Sequence, residues 1–261
     1  MPSQRALQLH SLTLNDEIDT WDDWGIVATK RPVFNEPELR SEYMDVPGRN
    51  GQLDMTEVLT GYPLFENRTG SLEFFLYDDS TPVLTKLNVI RNYLHGKRHK
   101  IILNDEPEYY YAGRLMVHES HPTTEGEYAV FELEYNLEPY KYELTSSVED
   151  WLWDPFNFET GVIREYERLL LSQNTPRTVT VTGSRKPTPL KVILSLPSGY
   201  EQYSDFVAVT LSYNDETYNL TYGTNVLPMI MLQDDEYEFT FELTSQISDC
   251  YLSIDFRGGI L

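Results

Sequence analysis

Cysteine is nearly absent from this chain, which carries a single one, Cys250, in 261 residues. One thiol cannot close an internal disulfide, and a chain of this size with one cysteine fits a reducing compartment. The neighbouring Tyr251, Leu252 and Ile254 are apolar, and a thiol in apolar surroundings is inert. The sequence therefore predicts a small buried side chain in a strand and not a nucleophile.

Long apolar runs are also missing. No stretch approaches the ~18–20 consecutive apolar residues that a membrane-spanning helix needs. The first ten residues show neither a continuous apolar core nor a small-residue cleavage site, the two marks of a secretion signal. We expect a protein that is made and folded in a cytoplasm and has no membrane partner.

Positive charge is scarce. The chain has 20 Lys and Arg against 42 Asp and Glu, a formal net charge of −22. The deficit is even, with 12 basic and 24 acidic side chains in residues 1–140 and 8 and 18 in residues 141–261. Nucleic-acid binding needs clustered cations that neutralise phosphates, so no specific nucleic-acid partner is expected. The one basic cluster, residues 96–100, follows a predicted helix, whose C-terminal end favours cations.

Catalytic motifs are absent as well. The sequence has no G-x-S-x-G elbow, no glycine-rich phosphate loop, no HExxH and no EF-hand pattern. His118 and His121 are the histidines closest to each other in the sequence, but they follow a strand-like run, and a catalytic zinc needs about three protein ligands. With so many carboxylates, close acidic pairs are expected by chance on a solvated surface. We predict no enzyme, no metal and no cofactor.

Strand-forming residues dominate what is present. Before residue 140, β-branched and aromatic residues occur in short runs separated by Gly, Pro, Asn and Asp. The predicted strands are residues 24–30, 39–46, 52–59, 70–77, 100–103, 109–117 and 127–137, with a bulge near Phe131. One helix is predicted from Pro82 to about Leu94, capped by Ser80 or Thr81 and ended by Gly96.

A hairpin is predicted around Asn50-Gly51, the strongest short turn signal in the chain. Its two arms are only sparsely apolar, and an isolated two-stranded hairpin is marginal in water. We therefore predict that the hairpin lies on another surface, its own domain or a neighbouring copy. The candidate subunit interface consists of Asp45, Val46, Pro47, Gly48, Arg49, Asn50, Gly51, Gln52, Leu53 and Asp54.

The pattern changes after residue 140. Residues 141–177 are predicted to form a connector with a short helix at 162–171, and residues 178–261 an antiparallel sandwich. The predicted strands of this second domain are residues 178–182, 190–196, 206–213, 217–222, 237–243 and 251–256. The first domain then comprises residues 1–140.

Aromatic residues of the connector and second domain leave two interpretations open. The aromatic residues that could stack on sugar rings, as in β-sandwich lectins, are Trp151, Trp153, Phe156, Phe158, Tyr200, Tyr203, Tyr213, Tyr218 and Tyr222. The candidates selected from this set are Trp151, Trp153, Tyr213 and Tyr218. Core or interface positions account for the same residues more often. A carbohydrate-binding adhesion module is therefore the alternative function.

The order of several short motifs resembles the distal tail protein family of long, non-contractile-tailed bacteriophages that infect Gram-positive bacteria. These motifs are Trp24-Gly25, Arg31-Pro32, Val46-Pro-Gly-Arg-Asn-Gly51, Ile90-Arg-Asn-Tyr-Leu-His-Gly96, Lys100-Ile-Ile-Leu103, Tyr109-Tyr-Tyr-Ala-Gly-Arg114, Glu138-Pro-Tyr-Lys-Tyr142 and Ile254-Asp-Phe-Arg-Gly-Gly259. The resemblance covers the first domain best.

The resemblance implies a mainly β protein at the virion tail tip. Its N-terminal β-sandwich, with one α-helix and a long hairpin, would close into a homo-hexameric ring, and a galectin-like β-sandwich would follow. The ring would join the tail tube protein to the tail-tip protein and carry receptor-binding proteins or meet host glycans. These implications and the hairpin argument point to a structural subunit.

Overall fold

The computed structural model describes residues 10–77, 82–122, 128–149, 164–245 and 247–261. They divide into two compact units, a first up to Lys141 and a second from Tyr142 to Ile260. Strands dominate both, so the predicted mainly β class is confirmed. None of the helices in the described ranges has the length and hydropathy to cross a membrane.

The first unit is built on one antiparallel sheet. Its strands are β1 (Leu12–Leu14), β2 (Ile18–Asp19), β3 (Ile26–Ala28), β4 (Tyr43–Met44), β5 (Leu53–Asp54), β6 (Arg68–Tyr77), β7 (Arg98–Leu103), β8 (Tyr109–Pro122) and β9 (Tyr128–Leu137), with β10 (Lys141–Glu143) at the unit boundary. The sheet runs in the order β2-β1-β7-β8-β9-β6-β3, while β4 and β5 pair only with each other.

One helix, α1 (Val83–Leu94), packs on this sheet. Its buried face consists of Val83, Leu87, Ile90 and Leu94, the period expected of an amphipathic helix. It begins one residue after Pro82, and Gly96 takes a left-handed φ of 71° just past its end. The predicted helix is therefore confirmed, whereas the predicted caps Ser80 and Thr81 lie outside the described residues.

The bulge predicted near Phe131 lies in the partner strand instead. Burial alternates without interruption along β9, where Ala129, Phe131 and Leu133 all face the core. The register shifts in β8 between Val117 and Ser120, opposite Leu133 and Phe131. Two residues thus face one across the pair, which defines a bulge in β8.

The second unit is a sandwich of two four-stranded antiparallel sheets. Its strands are β11 (Leu169–Ser172), β12 (Arg177–Thr182), β13 (Thr188–Ser195), β14 (Ala208–Tyr213), β15 (Glu216–Thr221), β16 (Gly223–Leu232), β17 (Glu236–Leu243) and β18 (Asp249–Ile254). The short strand β19 (Gly259–Ile260) belongs to neither of these two sheets. The sheets have the orders β11-β18-β13-β16 and β12-β17-β14-β15. Inward residues of both, such as Val192, Leu252, Val181 and Phe239, form one core.

Two elements of this unit differ from the prediction. The helix predicted over residues 162–171 is wrong where the chain is described, because Leu169–Ser172 pairs with β18 as strand β11. Strand β16 was not predicted, since Gly223 and Pro228 interrupt it. It is an edge strand, and its register on β13 shifts opposite Pro189 and Leu190, where proline is tolerated.

Candidate functional site

Residues 35–67, hereafter the arm, leave the sheet between β3 and β6 without burying a single side chain. Several of the large apolar side chains on the arm lie in solvent. Tyr43 is 55% exposed, Met44 52% and Leu59 95%. None of the arm residues belongs to the core of the first unit, although all of them are described. An exposed set of large apolar side chains on one segment marks a surface that another molecule covers.

The tip of the arm contains the hairpin predicted from Asn50-Gly51. The pairing is short, Tyr43 with Asp54 and Met44 with Leu53, so the tip is an eight-residue loop rather than a tight two-residue turn. Within the candidate interface Asp45–Asp54, only Val46 and Leu53 are half-buried, and the rest are exposed. The structure therefore places the candidate residues together at one solvent-exposed tip.

Hydrogen bonds fix the base of the arm. The Arg40 N–H donates to the Leu64 carbonyl at 2.9 Å, and the Glu66 N–H donates to the Glu38 carbonyl at 2.8 Å. Phe65 packs edge-on against Tyr140, with ring centroids 6.0 Å apart. The two strands of the arm thus leave the sheet side by side in a defined direction.

Arg68, at the start of β6, ties this base to the sheet. Its side chain is 1% exposed, and its guanidinium donates to the carbonyls of Pro139 at 2.8 Å and Asn35 at 2.9 Å. It also pairs with Glu36 at 3.3 Å and lies 5.6 Å from the Tyr111 ring centroid. A planar guanidinium is suited to several such bonds at once, so Arg68 determines where the arm begins.

The arm is strongly acidic. It carries Glu36, Glu38, Glu42, Asp45, Asp54, Glu57 and Glu66 against Arg40 and Arg49, seven negative charges and two positive ones. Hydrogen bonds from the Thr56 side chain and backbone lower the pKa of the Asp54 carboxyl. The charge favours a surface that is neutral or basic where the arm docks.

Of the four residues predicted to meet glycans, Tyr213 and Tyr218 lie in the described part of the chain. Trp151 and Trp153 lie outside the described residues. Tyr213 and Tyr218 are half-buried on β14 and β15, packed against the second core, and the Tyr218 hydroxyl donates to Glu216. Tyr213 lies 5.0 Å from the Phe239 ring, so its position serves the core at least in part.

No catalytic or metal centre is apparent in the described part of the chain. No group of three or more His, Cys, Asp or Glu is placed there to hold a metal ion. His118 is exposed on β8, the strand that also contains His121. Cys250 is buried in β18, and burial raises the pKa of its thiol to about 11, as expected of an inert side chain.

The arm extends beyond the residues selected from the sequence. Tyr43, Met44, Val58 and Leu59 are exposed apolar residues that flank the predicted tip. The sequence signal for these residues is a sparse apolar pattern. That pattern does not tell whether a half-apolar strand packs on the sheet of its own domain or leaves it. Only the three-dimensional structure shows that the arm leaves the core.

Comparison with solved structures finds seven chains of similar fold. No protein-family model and no curated protein matches the sequence. The chain is similar to the Dit protein (gp 19.1) of SPP1, whose crystal structure is described as a paradigm of the hub adsorption apparatus in phages infecting Gram-positive bacteria. The TM-score is 0.51 at 12% sequence identity, over 96% of this chain and 99% of the other. The two proteins share a fold.

Proposed function

We propose that this chain is a structural subunit of a bacteriophage tail tip that works by assembling into a ring of copies. The observation that carries the proposal is the arm, residues 35–67, which has a fixed base, exposed apolar side chains and no buried residue of its own. The fold shared with a phage hub protein supports the same role.

A head-to-tail contact between copies follows from the shape of the arm. The arm of one copy meets a different surface on the next, and a contact of two unlike surfaces makes a ring when the rotation closes. The resemblance to distal tail proteins gives the ring six copies. Each contact should bury on the order of 1,000 Å² or more to be stable.

In this proposal, residues 1–140 form the ring, and a galectin-like domain at residues 178–261 follows the connector at 141–177. Strand β11 of the connector range belongs to the same sandwich as that domain. The ring lies at the virion tail tip, between the tail tube protein and the tail-tip protein, and holds receptor-binding proteins. The role is structural and uses no cofactor. The fold likeness and the arm support this arrangement.

The test compares the mass of the purified protein with that of a variant in which residues 45–54 are replaced by a short turn. Light scattering should give a closed multimer for the parent chain and a folded monomer for the variant. The matched control replaces Asp215 by Gly in the Asn214-Asp215 turn of the second unit, where both residues already have positive φ. Equal ring formation by parent and shortened arm would refute the proposal.

A further inference from the structure

A second surface stands out in the second unit, on the 3-10 helix from Glu201 to Phe206. Tyr200 directly precedes it, and Tyr203 and Phe206 follow at intervals of three residues. A 3-10 helix has three residues per turn, so side chains at this interval lie one above the other on one face. We refer to these three rings as the aromatic row.

All three rings face solvent. Tyr200 is 54% exposed, Tyr203 45% and Phe206 61%. The centroids of the Tyr200 and Tyr203 rings lie 6.1 Å apart, close to the rise of one 3-10 turn of roughly 6 Å. The planes of these two rings differ by 40°. The second core contains none of the three, and they are not needed to fill it.

The backbone holds the row in place. Leu196 and Val207, which bracket the segment, are both buried in the core. The Tyr200 N–H donates to the Pro197 carbonyl at 3.1 Å, the Tyr203 N–H to the Tyr200 carbonyl at 2.9 Å, and the Val207 N–H to the Ser204 carbonyl at 3.1 Å. The backbone that carries the three rings is therefore ordered before a ligand binds, which lowers the conformational entropy lost on binding.

Hydrogen-bonding side chains flank the rings on the same turns. Glu201, Gln202 and Asp205 are exposed, and the Glu201 carboxylate is oriented by the Gly199 N–H at 3.0 Å. Carboxylate and amide oxygens accept from hydroxyl groups. A sugar ring needs both features, because it has an apolar C–H face that stacks on an aromatic ring and a rim of hydroxyls that donate.

The negative charge of this part of the chain favours uncharged sugars as ligands. Between Lys191 and Arg257 the chain carries eleven acidic side chains and no Lys, Arg or His. A phosphate-bearing polymer would meet only negative charge from this part of the chain, and like charge disfavours association. The row therefore suits an uncharged chain of pyranose rings.

We propose that the aromatic row is a binding site for a neutral polysaccharide. Each ring stacks on one sugar, and Glu201, Gln202 and Asp205 accept hydrogen bonds from its hydroxyls. The site uses none of Trp151, Trp153, Tyr213 and Tyr218, and it does not depend on ring assembly through the arm.

The test is affinity electrophoresis of the full chain in native gels, into which its net charge of −22 carries it. Separate gels contain dextran, galactomannan, a rhamnose-rich neutral cell-wall polysaccharide or glycerol teichoic acid. We expect retardation in at least one neutral gel. The triple variant Tyr200→Ala, Tyr203→Ala, Phe206→Ala should lose roughly tenfold or more in affinity, since three stacking contacts disappear together.

Two matched variants serve as controls for the loss of polysaccharide binding. Tyr200→Phe with Tyr203→Phe keeps every ring and should retain most of the binding, while Tyr222→Ala removes an exposed ring outside the row and should leave it unchanged. Migration without retardation in all neutral gels, retardation by teichoic acid alone, or equal retardation of the triple alanine variant would each overturn the proposal. So would a triple variant that keeps polysaccharide binding but loses the multimer seen by light scattering, because the row would then be a protein contact.

Discussion

His99 is a histidine enclosed in the first unit, with 4% of its surface exposed. Its Nε2 lies 3.2 Å from the Leu94 carbonyl, which can only accept, so Nε2 carries the proton. Asn15 accepts from the Lys100 N–H through its Oδ1, which orients its Nδ2 to donate to His99 Nδ1 at 3.1 Å. The imidazole is thus neutral and fully used, and burial lowers its pKa.

This leads to a prediction for stability against pH. Because the folded state holds the His99 pKa below its ordinary value, the unfolded chain binds a proton first as the pH falls. The free energy of unfolding of the first unit should therefore fall as the pH drops through about 6.5 and below, by at most about 1.4 kcal/mol per pH unit.

Urea unfolding followed at several pH values between about 8 and 5 measures this slope. His99→Gln should be less stable than the parent at the upper end, yet show a flatter dependence. His118→Gln changes an exposed histidine on β8 and serves as the control. The same slope in the parent and in His99→Gln would show that other groups set the acid sensitivity.

At the scale of elements, mutations in the arm should affect the proposed assembly without affecting the folding of the single chain. Tyr43, Met44 and Leu59 are exposed in the single chain, so replacing all three by Ser should change the free energy of unfolding of the monomer by no more than about 0.5 kcal/mol per site. If another copy covers them, the same change removes apolar burial worth on the order of 1–2 kcal/mol per side chain. Association should then weaken by roughly a hundredfold or more.

Sedimentation at a series of concentrations measures the association, and thermal unfolding checks the monomer. Met229→Ser, at a position 85% exposed on edge strand β16, is the control outside the arm. A triple serine variant that melts earlier but assembles normally would mean that the arm packs on its own unit.

The elements that the sequence predicts well are those with local signals. Helix α1 has apolar residues at helical spacing, a proline before it and a glycine after it, and these features suffice. The sequence does not predict strand β16, because Pro228 argues against a strand unless the strand is known to lie at the edge of a sheet. Leu169–Ser172 was assigned to a helix because a short apolar run has no period of its own, and only the pairing with β18 decides.

The two candidate surfaces are likewise predicted partly from local sequence signals and partly only from the tertiary structure. The turn signal at Asn50-Gly51 located the arm tip, although its exposure depends on the whole first unit. Tyr200 and Tyr203 are among the aromatic residues that the sequence offers for stacking on sugars. Their alignment with Phe206 is not predictable, because a spacing of three gives one face only in a 3-10 helix, and such a helix is set by its surroundings. Local sequence signals therefore locate candidate segments, and the tertiary structure shows which of them are exposed to solvent.

At the scale of the whole molecule, charge opposes assembly. Each chain carries −22, so copies brought together repel one another, and in the proposed ring the apolar contacts of the arm would have to overcome this repulsion. Salt screens exposed charges, with a Debye length of about 10 Å at 0.1 M. We predict that raising sodium chloride from about 0.02 to about 0.3 M strengthens the multimer, which light scattering at fixed protein concentration measures. Dissociation on adding salt would instead indicate contacts made mainly by ion pairs.

The exposed course of residues 35–67 also bears on the lifetime of a single subunit. Exposed backbone outside regular helices and sheets is where proteases cut most readily, and most residues of this segment are exposed. In the proposed ring, a neighbouring copy would cover the segment, whereas a single copy would leave it open to cleavage. Proteolysis would then remove subunits that stay single and spare those that have assembled.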